Sequence, residues 1–302
     1  MKRDVIVAIG MFDGVHAGHR FMLGELVKKA KDMGCESMVV TFGNHPRGVI
    51  NGAQSPRLLT DVEEKVRLIR ERGVDNVIVM RFDEGLRRLT AREFVERNLM
   101  GENNARGIMI GYDNGFGSDR LRGVEAYRTA LSPLGIEVYE CAEYEGEGVS
   151  SSKIREALRA GDAEKAAKML GRPYEVVGKV VKGKQLGRQL GFPTANILPN
   201  KELLLPKGGV YAGVMIRPKG LAGLPVMVNI GKAPTVNGSE GEDVSVEAHI
   251  IADSGIVPDL YGAEIGVGLV KRLRDEERFP DLASLKAALS HDREETVRII
   301  RN

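Results

Sequence analysis

Gly10-Met11-Phe12-Asp13-Gly14-Val15-His16-Ala17-Gly18-His19 is the stretch on which the reading of this chain turns. The apolar run Val5 to Ile9 precedes it, and Met22, Leu26, Ala30 and Met33 follow at helical spacing as far as Gly34. The stretch therefore joins a strand to a helix, with three glycines that permit close backbone approach. A helix N-terminus presents unpaired N–H groups and a partial positive charge, and two imidazoles there add directed donors, a combination suited to a triphosphate. Gly10, Phe12, Asp13, Gly14 and Gly18 are the candidate ATP-binding positions of the turn, and His16 and His19 its candidate catalytic pair. The plainer reading is a glycine-shaped turn with incidental histidines. Two of the chain's five histidines at one junction argue against it.

Outward from this turn, further apolar runs at residues 37–42, 76–80 and 107–110 alternate with helical patterns, among them residues 61–72. That alternation predicts a Rossmann-like α/β domain with a parallel sheet and crossover helices. Ser150-Ser151-Ser152-Lys153-Ile154-Arg155 opens another helix, which reaches Ala160, and Gly161-Asp162 separates it from a helix over 163–170. Serine capping alone leaves Lys153 and Arg155 unexplained, because positive charge in a first turn opposes the helix dipole unless an anion is near. Ser150, Ser151, Ser152 and Arg155 are thus candidate phosphate-binding residues.

After Gly171-Arg172-Pro173 the texture changes. Strand-like runs at 174–181, 210–216, 226–230, 244–251 and 264–270 follow one another without long helices, and Leu282, Leu285, Leu289, Val297 and Ile300 suggest one closing amphipathic helix. The expected division is residues 1–172 and 173–302, the second a mostly antiparallel barrel or sandwich. Within it, Gly178 to Gln185 nearly spells a Walker A loop. Gln185 stands where Ser or Thr should hold magnesium, and the segment reads as strand with no helix opening after it.

Composition narrows the function classes. The 302 residues, 42% hydrophobic, can bury a substantial core, and a formal charge of +2 gives a polyanion no clear footprint, so no nucleic-acid partner is expected. Cys35 and Cys141 lie far apart without ligand-spaced neighbours, which speaks against a zinc site or disulfide framework and for a reducing, cytoplasmic setting. No apolar run approaches the roughly 18 residues of a membrane span. Oligomeric state is not legible.

Several segments together carry a family resemblance. The Gly10–His19 turn, Ser150–Arg155, Thr41-Phe42-Gly43-Asn44-His45-Pro46, Leu58-Leu59-Thr60 with Glu64-Lys65, and Gly111 to Gly117 resemble, in order, the nucleotidyltransferase domain of bacterial bifunctional riboflavin kinase and FMN adenylyltransferase, the FAD synthetase family. Asn44 stands in place of a proline, Asn114 of a phenylalanine and Ser152 of a threonine. Gly187 to Asn196, with its Gly-Phe-Pro-Thr-Ala-Asn, resembles the riboflavin kinase signature. Gly209-Val210-Tyr211-Ala212, Asn229-Ile230-Gly231 with Pro234-Thr235, Val246 to His249, Leu260-Tyr261-Gly262 and Arg274 to Phe279 continue the resemblance.

The resemblance implies an N-terminal adenylyltransferase and a C-terminal kinase barrel with a closing helix, acting on riboflavin, FMN and ATP, with FAD as product and Mg2+ accompanying ATP. It implies that His16 and His19 stabilise the reacting phosphates, that Ser150, Ser151 and Arg155 hold the leaving β and γ phosphates, and that His45 and Asp113 line the nucleotide or flavin pocket. In the kinase it implies Glu247 as base, Thr194 and Asn196 as magnesium and ATP ligands, Gly183, Lys182 and Arg188 in a flap over the nucleotide, and Arg274 on the flavin side. Two alternatives are a chain retaining only the kinase, and a non-catalytic flavin- or RNA-binding regulator. Retention of His16, His19, Arg155, Thr194, Asn196 and Glu247 together argues against the regulator.

Overall fold

A computed structural model of the protein describes residues 3–51, 55–111, 115–146, 148–183, 186–232 and 244–302. The chain divides into two compact units, Met1–Ser151 and Ser152–Asn302.

The first unit carries a five-stranded parallel sheet built from β1 (Val5–Ile9), β2 (Glu36–Phe42), β3 (Asn76–Met80), β4 (Ala105–Ile110) and β5 (Glu137–Glu140), in the order β3-β2-β1-β4-β5. Period-2 alternation explains why β1 is apolar at every position. Val5, Val7 and Ile9 enter one core with Phe94, Val95, Tyr127 and Leu131, while Ile6 and Ala8 enter another with Leu23, Leu26, Leu68 and Ile69. The first helix, Ala17–Asp32, begins directly beyond the C-terminal end of β1. Since β1 pairs with β2 on one side and β4 on the other, that end is the switch point of the sheet, where open α/β folds place their ligands.

The second unit is a closed barrel of β6 (Tyr174–Val181), β7 (Ala195–Pro199), β8 (Gly209–Arg217), β9 (Pro225–Lys232), β10 (Val244–Ile250) and β11 (Glu264–Arg274), ordered β10-β7-β6-β11-β8-β9 with antiparallel pairings. The closing helix, Leu282–Arg301, packs on β8 and β9. The helix Ala163–Leu170 packs on β6 and β11, so by contacts the division falls before this helix rather than at residue 172. One expectation is corrected: a five-residue helix, Leu186–Leu190, does open after the Walker-like segment, although Gln185 itself lies outside the described residues. Among the described residues, no helix is long and apolar enough to cross a membrane.

Candidate active sites

The turn after β1 is strained and caged. Phe12 and Val15 have φ of +50° and +40°, a left-handed region that costs any L-residue and a β-branched one most. Both side chains are buried, and the Val15 amide donates to Phe12 O at 3.1 Å, so packing and hydrogen bonding hold the conformation. The Asp13 carboxylate points inward, accepting the amides of Leu59 (2.9 Å) and Thr60 (3.3 Å), and Gly14 N–H donates to Thr60 Oγ1 at 3.2 Å. Lys65, 2% exposed, donates from Nζ to Met11 O (3.2 Å) and Phe42 O (2.6 Å). Burial pushes its amine down to about 8, opposed by the Asp13 charge. The candidate nucleotide residue Asp13 is thus engaged in shaping the turn.

That cage presents the two histidines. His16 is the N-cap of the first helix: its Nδ1 accepts the His19 amide at 3.3 Å, which leaves the ring proton on Nε2. The two rings stack with centroids 3.6 Å apart, and Phe12 meets His19 edge-on at 5.3 Å. A Cβ at Gly18 would sit 3.4 Å from His16 Cε1, in ordinary contact with the ring. His19 Nδ1 is buried without a hydrogen-bond partner among the described residues. Burial, then His16 and Lys65, holds the His19 imidazole well below its usual range. Ser151, first residue of the helix Ser151–Ala160, donates from Oγ to Asp13 O at 3.0 Å, which ties the serine run to the turn. In that helix Ser152 is exposed and Arg155 buried. His45 Nδ1 accepts the Arg47 amide at 3.2 Å beside the short helix Pro46–Asn51. Asp113, with Tyr112 and Asn114, lies outside the described residues.

In the barrel, Glu247 on β10 stands opposite Asn196 on β7 and Asn229 on β9. Thr194 Oγ1 donates to Glu247 Oε2 at 3.3 Å. A cavity of about 970 Å³ opens here, and Lys182, Gly183, Arg188, Thr194 and Asn196 all line it. Lys182 Nζ lies 5.4 Å from the centroid of the Tyr261 ring. Arg274 is occupied otherwise: its Nε and Nη2 donate to the buried carboxylate of Asp292 at 3.0 and 2.8 Å, fastening β11 to the closing helix. Pro234 and Thr235 lie outside the described residues. Of the residues named here, Thr194 brings a hydroxyl and Asn196 an amide oxygen to the cavity lining, hard donors of the kind a magnesium ion takes alongside phosphate oxygens, while Glu247 meets the cavity through its bond to Thr194.

The two halves match two families. The FAD synthetase family matches residues 1–153, and the riboflavin kinase family residues 170–300. The chain belongs to the bifunctional family that joins them. The bifunctional riboflavin kinase/FMN adenylyltransferase of Escherichia coli (strain K12) is 35% identical over 293 residues, covering 96% of this chain and 91% of that protein. Its namesake from Bacillus subtilis (strain 168) is 32% identical over 302 residues, covering 98% and 93%. Among solved structures, a macrolide-efflux protein from Streptococcus pneumoniae superposes with a TM-score of 0.84 at 29% identity, over 98% of this chain and 94% of that one.

One departure from the family's pattern now has a structural account. Asn44, where the family resemblance places proline, donates from Nδ2 to Phe82 O and accepts the Phe82 amide on Oδ1, both at 2.8 Å. The side chain thereby continues the β2–β3 ladder past its last backbone bond, from Gly43 N to Met80 O. Lys65 has a place in the resemblance but no role there; the signal for one is that it shares the helical face of Leu68 and Ile69, where a cation must find buried acceptors. His249 likewise closes the Val246 to His249 segment without a role, because its partner, Pro193 O, lies far away in sequence.

Proposed function

We propose that this chain makes FAD in two ATP-dependent transfers, phosphorylating riboflavin to FMN in the barrel and adenylylating FMN in the parallel-sheet unit. The observation that supports the reading is that each family section holds a compact set of polar side chains: the stacked His16 and His19 at a helix N-terminus, and Thr194 bonded to Glu247 beside a cavity.

In the barrel, Glu247 takes the proton of the riboflavin 5′-hydroxyl as that oxygen attacks the γ-phosphorus of ATP and ADP leaves. Thr194 and Asn196 would hold Mg2+, whose contribution is to neutralise charge on the phosphates. In the parallel-sheet unit, the FMN phosphate attacks the α-phosphorus of ATP and pyrophosphate leaves. His16 donates from Nε2–H to the reacting phosphates, and His19 strengthens its own donation as an approaching anion raises its proton affinity. Ser150, Ser151 and Arg155 hold the leaving group. The cysteines, both free thiols, fit a reducing cytoplasm.

The test is incubation of the purified protein with riboflavin, ATP and Mg2+, with flavins separated by chromatography. The wild type is expected to accumulate FAD, His19→Ala to stall at FMN, and Glu247→Ala to leave riboflavin. FMN alone from the wild type would reduce the protein to a kinase. Unchanged riboflavin, with a salt-dependent RNA affinity, would make it a regulator.

A further inference from the structure

We propose that His249 is the positioning residue of the kinase site, setting Thr194 against Glu247 by holding the carbonyl of Pro193; this rests on the kinase reading above. His249 follows Glu247 by two residues on β10, so both side chains leave the same face of the strand. The imidazole is buried and lies 2.8 Å from Pro193 O through Nδ1. A carbonyl can only accept, so Nδ1 carries the proton. The Phe192 ring meets the imidazole edge-on at 5.3 Å.

Phe192 is held by its own amide, which donates to Gly187 O at 2.8 Å, and by its buried ring, whereas the carbonyl that follows is held by His249. Residues 192–194 form neither helix nor strand, between the helix Leu186–Leu190 and β7. Pro193 has no N–H, so its carbonyl is its single backbone handle. Fixing that carbonyl fixes the peptide plane that delivers Thr194, whose Oγ1 reaches Glu247 Oε2 at 3.3 Å. The chain of contacts His249, Pro193, Thr194, Glu247 closes on β10, where it began. Burial first, and then Arg293 of the closing helix, which also lines this cavity, disfavour a positive charge on the imidazole, in keeping with a neutral donor.

The experiment compares His249→Leu, His249→Asn, Thr194→Val and the double variant His249→Leu/Thr194→Val, measuring FMN formation from riboflavin and, in the same preparations, FAD formation from supplied FMN. Leucine removes the donor, and kcat for FMN formation is expected to fall roughly tenfold to a hundredfold. Asparagine places an amide N–H near the Nδ1 position and is expected to stay within about threefold of wild type. Because His249 acts through Thr194, the double variant is expected to be no slower than the slower single variant. FAD formation from FMN stays unchanged throughout. Losses that multiply in the double variant, an asparagine variant as slow as leucine, or a leucine variant at full rate would each overturn the proposal. If the leucine variant does not fold, 15N spectra of the wild-type imidazole decide: a proton on Nε2 rather than Nδ1 overturns it. A wild type that forms no FMN would instead sink the kinase reading itself.

Discussion

His16 and His19 stack face to face, ring centroids 3.6 Å apart and planes 16° from parallel, with His16 Nδ1 accepting the His19 amide. Two imidazoles this close cannot both be cationic at ordinary pH, and buried Lys65 adds a third positive neighbour. His19 is therefore neutral in the free enzyme and titrates below the usual value of about 6.5. Its folded form takes up protons less readily than the unfolded chain, so it makes stability fall as the pH falls below that value. NMR titration of His19 is the measurement. Lys65→Met, which removes a positive neighbour, is expected to move the His19 midpoint to higher pH. A midpoint at the ordinary imidazole value in the wild type, or no upward movement in Lys65→Met, would contradict the account.

The cage beneath those rings makes a separate claim about stability. Asp13 accepts two buried amides, from Leu59 and Thr60, and its charge supports protonated Lys65. Asp13→Ala strands both donors and is expected to destabilise the first unit by about 2–4 kcal/mol. Asp13→Asn, which keeps one acceptor oxygen, should lose less. Denaturant unfolding followed by hydrogen exchange in each unit would show it. An unchanged midpoint in the first unit, or an equal loss in the barrel, would count against it.

Asn44 yields a prediction at a single amide. Its two 2.8 Å bonds to Phe82 replace the stiffness a proline would supply at that position. Asn44→Ala is expected to cost about 1–2 kcal/mol and to release the Phe82 amide to fast exchange. Hydrogen exchange resolved at Phe82 checks this, and protection that survives the substitution would show that the amide is held by something else.

The parts of this molecule legible in the sequence are those written locally. β1, β3 and β6 fall where their apolar runs place them, and the helix Ala163–Leu170 ends at Gly171, which has the left-handed φ of +67° that a helix stop favours. β5 and β7 escaped notice because Glu-Val-Tyr-Glu and Ala-Asn-Ile-Leu-Pro carry too few apolar residues to set a period. The site divides in the same way. His16 and His19 announce themselves by spacing, and Thr194, Asn196 and Glu247 through resemblance. Lys65 and His249 act through carbonyls 23 to 56 residues distant, and Arg274 finds Asp292 only once the closing helix has packed. Such partners have no local period.

Gly183 offers the sharpest separation of activity from stability. A Cβ there would lie 2.0 Å from Asn196 Nδ2 and 2.4 Å from its Cγ. The obstacle is the far end of a side chain that can swing away, so Gly183→Ala is expected to fold with its stability within about 0.5 kcal/mol of wild type. What it displaces is the amide that stands opposite Glu247, and FMN formation is expected to fall roughly tenfold to a hundredfold while FAD formation from supplied FMN is unaffected. Gly178, within β6 where it pairs with β7, is the contrasting case. A Cβ there would lie 2.4 Å from Leu198 O, a backbone atom of β7 that cannot move without disturbing the barrel. Gly178→Ala is therefore expected to lower stability first, by about 1–3 kcal/mol, and activity only as a consequence. Thermal unfolding alongside both flavin assays separates the two. A Gly183→Ala variant as unstable as Gly178→Ala, or one with a wild-type rate of FMN formation, would show that Asn196 is not what this glycine makes room for.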